Sequence, residues 1–185
     1  LEFEDSVGGG VSQLSTTLFN AVFFGCYQDV THTVHALYIS RYPMGREATL
    51  NYPSIDNQFR DDTKSGVLIR TFYDNGSITV SLYGDKEGRR CTAEGPHILQ
   101  TIPVETQYVD DPAQPVGKEK ELDPGHTGYV VENFRIIHRD GQPDVRQRFV
   151  EKYSMAKRKV ARGVAPLPPA PTTPTTVAGA TPPPS

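Results

Sequence analysis

The chain has 185 residues, 36% of them hydrophobic, and a formal net charge of −3 at pH 7. That length holds one domain or two small ones. The charge, with no long basic stripe, argues against a nucleic-acid binder, so no nucleic-acid partner is expected. No run approaches the roughly eighteen apolar residues of a membrane-spanning helix. The start has neither Met nor a charged segment before an apolar core, so no signal peptide is visible. Beginning at Leu1, the chain reads as the C-terminal part of something longer, and any membrane attachment is expected only through a missing N-terminal anchor. Cys26 and Cys91 are the two cysteines. They lack metal-ligand spacing and the density of a disulfide scaffold. A pairing outside the cell and two buried thiols both stay open. No metal and no cofactor are expected.

In chain order, Gly8-Gly9-Gly10 forms a loop whose bare N–H groups can approach a ligand closely. A helix is expected after it. Leu14, Leu18 and Val22 recur every four residues, with Phe19 and Phe23 beside them, as an apolar stripe. Gln13, Thr16, Thr17 and Asn20 make another face polar, Ser12 suits the N-cap, and Gly25 suits the C′ position. A helix start behind glycines is also a ready anion site.

Residues 37–42 read as a short strand ended by Pro43, with Gly45 as a turn, and residues 46–52 as the next strand. Segments 67–73 and 77–83 flank Asp74-Asn75-Gly76 as a hairpin, with Ile78, Val80 and Leu82 alternating against Thr79 and Ser81. The spacing predicts two more strands, 129–137 and 145–153, around Asp140-Gly141. The fold class is therefore α+β, a helix packed on an antiparallel sheet, followed by a polar region with few core residues. That polarity favours a small elongated all-β module over a compact barrel. From Val164 onward the chain is Pro, Thr and Ala without charge, so a disordered, polyproline-II-biased tail is expected over 164–185.

Two family resemblances follow from these residues. Gly8-Gly9-Gly10-Val11-Ser12-Gln13, then Ser15-Thr16-Thr17-Leu18-Phe19-Asn20-Ala21, resembles the signature of VanW-family domains of the bacterial envelope. The run from His35 through Arg41-Tyr42-Pro43-Met44-Gly45-Arg46-Glu47-Ala48-Thr49 is similar to that family's second block. Further on, Pro115-Val116-Gly117-Lys118, Gly125-His126-Thr127-Gly128, Arg135, Asp140-Gly141 and Val160-Ala161-Arg162-Gly163 resemble a G5 domain. The expected organisation is a VanW-like domain at 1–95, a linker at 96–102, a G5-like β module at 103–163 and the tail at 164–185.

The resemblance implies an extracytoplasmic protein, secreted or membrane-anchored, whose partner is a peptidoglycan stem peptide or glycan. Relatives with Cys at position 12 look like L,D-transpeptidases, the thiolate being activated at a helix start. Ser12 departs from that pattern and needs a base, for which His35 matches a family histidine. Ser12 and His35 are thus the catalytic candidates, with Ser12 as an ordinary N-cap the plainer reading. Gly8, Gly9, Gly10, Gln13, Thr17, Asn20 and Arg46 are the substrate-binding candidates, the Arg46 guanidinium being suited to a carboxylate. Three functions are compatible with this: a non-catalytic wall-binding module, an acyl-transfer enzyme using Ser12, and a surface adhesin binding N-acetylglucosamine polymers through the G5-like module.

Overall fold

The computed structural model describes residues 10–166; Gly8, Gly9 and the Pro/Thr-rich segment from 167 onward lie outside the described residues. Helix α1 spans Val11–Gly25. Its N-cap is Gly10, which makes no side-chain capping bond, and Ser12 lies one residue inside the helix. The left-handed closing residue is Cys26 (φ 65°), with Gly25 still helical. Packing explains the displacement: a Cβ on Gly25 would lie 2.8 Å from Tyr27 Cδ2, so the glycine is spent on close approach.

Two antiparallel pairs flank this region. Strands β1 (Gln28–Thr31) and β2 (Gln58–Arg60) pair with a bulge. Strands β3 (Leu68–Tyr73) and β4 (Ile78–Tyr83) form the expected hairpin, with Leu68 opposite Tyr83 and Tyr73 opposite Ile78. Its turn works differently from a tight positive-φ turn, since neither Asn75 nor Gly76 has positive φ. Asp74 Oδ1 instead accepts the N–H groups of Gly76 and Ser77 and the Ser77 hydroxyl, an Asx-type closure.

Two three-stranded sheets complete the chain. Strand β5 (Arg90–Ile102) lies beside β8 (Gly128–His138), which pairs with β9 (Val145–Tyr153), all antiparallel. The two strands expected around Asp140-Gly141 are β8 and β9, with Gly141 at φ 71° in the turn. Residues 96–102 lie inside β5. In the second sheet, β10 (Arg158–Ala165) runs parallel to β6 (Thr106–Pro115) and antiparallel to β7 (Glu119–Asp123). The helix and antiparallel strands of the α+β expectation are present.

Each hydrophobic cluster joins the N-terminal segment to the β5-β8-β9 sheet. Phe19, Phe23 and Ala48 pack with Phe149, while Cys26 and Cys91 meet Ile137. Val34 packs against Val131 and Tyr153, with Tyr38, Met44 and Tyr129 around them. Phe19 and Phe23 are each 1% exposed, and burying such a side chain contributes about 1.5–3 kcal/mol. A Cys26–Cys91 disulfide spans the same seam, with Cα atoms 5.6 Å apart. The buried helix face is Ser15, Thr16, Phe19, Val22 and Phe23, rotated from the expected Leu14-Leu18-Val22 stripe; Leu14 is exposed.

Neither 37–42 nor 46–52 forms a strand beyond a single bridge residue at Asn51. Their backbone groups are taken by side chains and turns. Gly45, at φ 68°, turns the chain against the sheet, and a Cβ there would collide with the amide nitrogen of Asn133. Gly45→Ala is therefore expected to destabilise the protein by about 1–3 kcal/mol in urea unfolding, and an unchanged midpoint would contradict this packing.

Candidate functional site

The candidate residues converge on one coil, residues 44–49, laid between α1 and the β8-β9 sheet. One side of it is held by the polar edge of the helix. Asn20 Nδ2 donates to the Arg46 carbonyl at 2.8 Å. Thr16 Oγ1 donates to the Ala48 carbonyl at 3.2 Å and accepts the Ala48 N–H at 3.1 Å. Ser12 and Thr49 share a hydroxyl–hydroxyl bond at 3.2 Å. Ser12, Thr16 and Asn20 are spaced i, i+4, i+8, so they form one stripe on the helix. The coil has its own unpaired backbone groups, and this stripe supplies the partners a neighbouring strand would otherwise give. The sheet holds the other side, where Asn133 Nδ2 donates to the Met44 carbonyl at 3.1 Å and Gly45 N–H donates to the Tyr153 hydroxyl at 2.7 Å.

Within this coil, Glu47 is completely buried and its carboxylate meets His35 Nδ1 at 2.5 Å. The His35 ring stacks on Tyr42, centroids 5.3 Å apart and planes 10° apart. Burial pushes the Tyr153 hydroxyl far above the usual phenol range, with nearby Glu47 adding to the shift against the bond from Gly45, so it stays neutral. Arg46 projects over Phe23 and Phe24, 5.7 and 5.2 Å from their centroids. Its Nε and Nη1 are buried without hydrogen-bond partners among the described residues, and burial lowers its pKa from the usual guanidinium value.

The structure thus gathers Ser12, Asn20, His35 and Arg46 around 44–49, with Ser12 bonded to Thr49 and His35 to Glu47. Thr17 bonds back to the Gln13 carbonyl at 2.7 Å, within the helix. Gln13 faces a shallow cleft against the hairpin turn at Asp74. Gly10 is exposed at the helix start. Glu47, Thr49, Asn133 and Tyr153 are neighbours of these candidates that sequence reasoning did not assign. Glu47 and Thr49 had a signal, since both lie in the quoted Gly-Arg-Glu-Ala-Thr run; Asn133 and Tyr153 come from distant segments. Among the described residues no cluster could hold a metal ion, and no helix is long and apolar enough to cross a membrane.

A second cluster ties the same region to β9. His32, 7% exposed at its side chain, bonds Asp29 at 2.8 Å and lies 3.4 Å from Glu151, an ion-pair contact at Nε2 and not a good hydrogen bond. Its ring stacks on Phe19 at 4.1 Å. Burial alone would lower its pKa, but the bond to Asp29 and the interaction with Glu151, with the charges of both, outweigh it and raise the pKa to about 9.

These elements define a VanW-type helix and coil followed by an extended β module. The family model described as "VanW like protein" matches residues 1–83, and the G5 domain model matches residues 98–165. The chain carries a VanW-like domain followed by a G5 domain. It is 37% identical over 82 residues to "Uncharacterized protein YoaR" of Bacillus subtilis (strain 168), covering 44% of this chain and 27% of that protein. Among solved structures, "HP0197-G5" is 20% identical with a TM-score of 0.23, covering 40% of this chain and 92% of that one. The "IgA1 Protease G5 domain" is 16% identical with a TM-score of 0.27, covering 56% and 96%. The G5 assignment rests on the family model. The pairing of the two domains suggests a cell-wall-associated protein.

Two outcomes follow from this geometry. Thr16→Val leaves the Ala48 amide and carbonyl without their buried partner, so a loss of about 1–3 kcal/mol is expected in chemical denaturation. A stability change below about 0.3 kcal/mol would contradict that role. His32 binds its proton more tightly folded than unfolded. Its contribution is full below about pH 6.5 and is lost as pH rises through about 9. Urea titrations at pH 6 and pH 9.5 should show a fall on the order of 2–3 kcal/mol in the parent that is absent in His32→Asn. Parallel pH profiles for the two proteins would contradict it.

Proposed function

We propose that this chain is a non-catalytic module that binds peptidoglycan, through its stem peptide or glycan, outside the cytoplasmic membrane. The observation that carries the reading is the partner of Ser12. A serine nucleophile needs a hydrogen-bonded base, whereas the Ser12 hydroxyl is bonded to that of Thr49. Neither hydroxyl is a base at neutral pH. Ser12, Thr16 and Asn20 act together to hold the 44–49 coil, a structural task that a serine performs as well as a cysteine is poised for chemistry.

Arg46 supports the binding half. Two unmet donors on a guanidinium stacked over Phe23 and Phe24 favour an incoming oxyanion, and a stem-peptide carboxylate matches that fork. The Cys26–Cys91 disulfide fits an oxidising compartment outside the cytoplasm. Gly8, Gly9 and Gly10, with Gln13 and Thr17, would border the ligand from the helix start.

One observation favours acyl transfer as a second reading. Glu47 holds Nδ1 of His35, the arrangement that orients an imidazole to act as a base through Nε2. Under that reading Ser12 must leave Thr49 and reach His35, with the glycine-loop N–H groups stabilising the oxyanion.

Purified sacculi separate the two. Retention of the parent is expected, reduced about tenfold in Arg46→Gln and unchanged within about twofold in Ser12→Ala. Incubation with a tetrapeptide stem should leave no acyl adduct on Ser12 by mass spectrometry. Failure of the parent to be retained would overturn the binding reading, and an adduct abolished by Ser12→Ala would replace it with the catalytic one.

A further inference from the structure

A cleft of about 300 Å³ opens beside the Cys26–Cys91 disulfide, between the end of α1 and the β8-β9 edge. Its polar lining is Gln28, Asp62, Arg89, Arg135, Arg139 and Gln147. Three guanidinium groups thus face one carboxylate. Asp62 is already taken by Arg89 Nη1, at 2.8 Å. Arg89 is 5% exposed, its Nε donates to the Lys86 carbonyl at 3.1 Å, and its Nη2 is buried with no hydrogen-bond partner among the described residues.

Arg135, 2% exposed, forms another part of the wall. Its Nε donates to Gln147 Oε1 at 2.8 Å and its Nη1 to the Tyr27 carbonyl at 2.9 Å, which closes off the end of the helix. These partners are neutral, so they satisfy donors without cancelling charge. Burial lowers the Arg135 pKa, while the Asp29 and Asp62 charges oppose that shift and the Arg89 charge adds to it. Arg139 is exposed. A buried donor with no acceptor is costly without a partner, and Arg89 Nη2 is such a donor among the described residues. None of this is used by the Ser12–His35–Arg46 region.

We propose that this cleft is an oxyanion-binding site that takes a carboxylate or phosphate group on a small molecule or at the end of a polymer. Arg89 Nη2 is the buried donor, Arg139 closes on the ligand from the outside, and the Gln28 amide adds a neutral contact. Ile137 and Val145 give the ligand's adjoining carbons an apolar wall. The volume lies at the low end for small-molecule sites, so a charged group with a short substituent fits and a folded oligosaccharide does not.

Titration of the full chain at constant ionic strength, followed by backbone NMR, tests this with three probes: inorganic phosphate, N-acetylalanine, and its uncharged methyl ester. Saturable shifts near Gln28, Arg89, Arg135 and Gln147 are expected with at least one anion and not with the ester. Tighter phosphate binding assigns the natural group as a phosphate, and tighter N-acetylalanine binding as a carboxylate. Arg89→Lys keeps the charge beside Asp62 but lacks the second nitrogen, and should weaken binding about tenfold or more. Arg139→Gln alters only an exposed side chain and should weaken it about threefold or more, which keeps the test valid if Arg89→Lys does not fold. No saturation by about 50 mM of either anion, or unchanged affinity in Arg139→Gln, overturns the proposal. The readout involves no sacculi, so its failure is distinct from failure of the wall-binding reading.

Discussion

The fold depends on a coil that has no ladder of its own. Residues 44–49 are bonded on one face by Ser12, Thr16 and Asn20 and on the other by Asn133 and Tyr153. A typical internal hydrogen bond contributes only about 1 kcal/mol net, but a buried group left unpaired costs about 1–3 kcal/mol. Removing any one partner therefore matters more than its presence adds. The fully buried carboxylate of Glu47 raises the stakes, because its Oε2 relies on the bond to His35. The placement of Ser12, Asn20, His35 and Arg46 follows from where this coil is held.

The same arrangement couples the two matched domains. Asn133, Arg135, Phe149 and Tyr153 lie within the G5 match, yet their partners are Met44, Tyr27, Phe23 and Gly45. The disulfide adds a covalent link across the seam. The β6-β10-β7 sheet is built otherwise, with paired surface charges in place of a deep core. Arg158 meets Glu121, Arg162 meets Asp110, and Lys157 lies 3.7 Å from Glu105. Exposed pairs of this kind contribute little stability each. They do mean that Lys157, Arg158 and Arg162 each meet an acid on a neighbouring strand or loop.

Local patterns read well from the sequence where local physics decides them. The alternation of Ile78, Val80 and Leu82 beside Asn75-Gly76 pointed to the hairpin, although its turn closes through Asp74 and not through the positive φ expected at Asn75-Gly76. Asp140-Gly141 pointed to β8 and β9. The helix was also legible, with Phe19, Val22 and Phe23 of its buried face, but burial of Ser15 and Thr16 in place of Leu14 was not, because hydropathy counts those hydroxyls as polar. Residues 37–42 and 46–52 have strand-like composition, and tertiary side-chain bonds outweigh that propensity. At the site, Ser12, His35 and Arg46 stood out by family pattern. How they pair did not, although Glu47 and Thr49 lie in the same run as Arg46: Thr49 is 37 residues from Ser12, and Tyr153 is 108 from Gly45. Nor could sequence bring Arg89 and Arg135 to one cleft, since that meeting depends on how β8 packs against the end of α1.

Amide hydrogen exchange tests the held coil most directly. The amides of Gly45, Ala48 and Thr49 donate to Tyr153, Thr16 and the Thr33 carbonyl respectively. They should exchange as slowly as the central amides of α1, opening only with the cooperative unfolding of helix and sheet. Fast exchange at these three positions while α1 and β8 stay protected would contradict the account, leaving the site on a loop that helix and sheet do not hold.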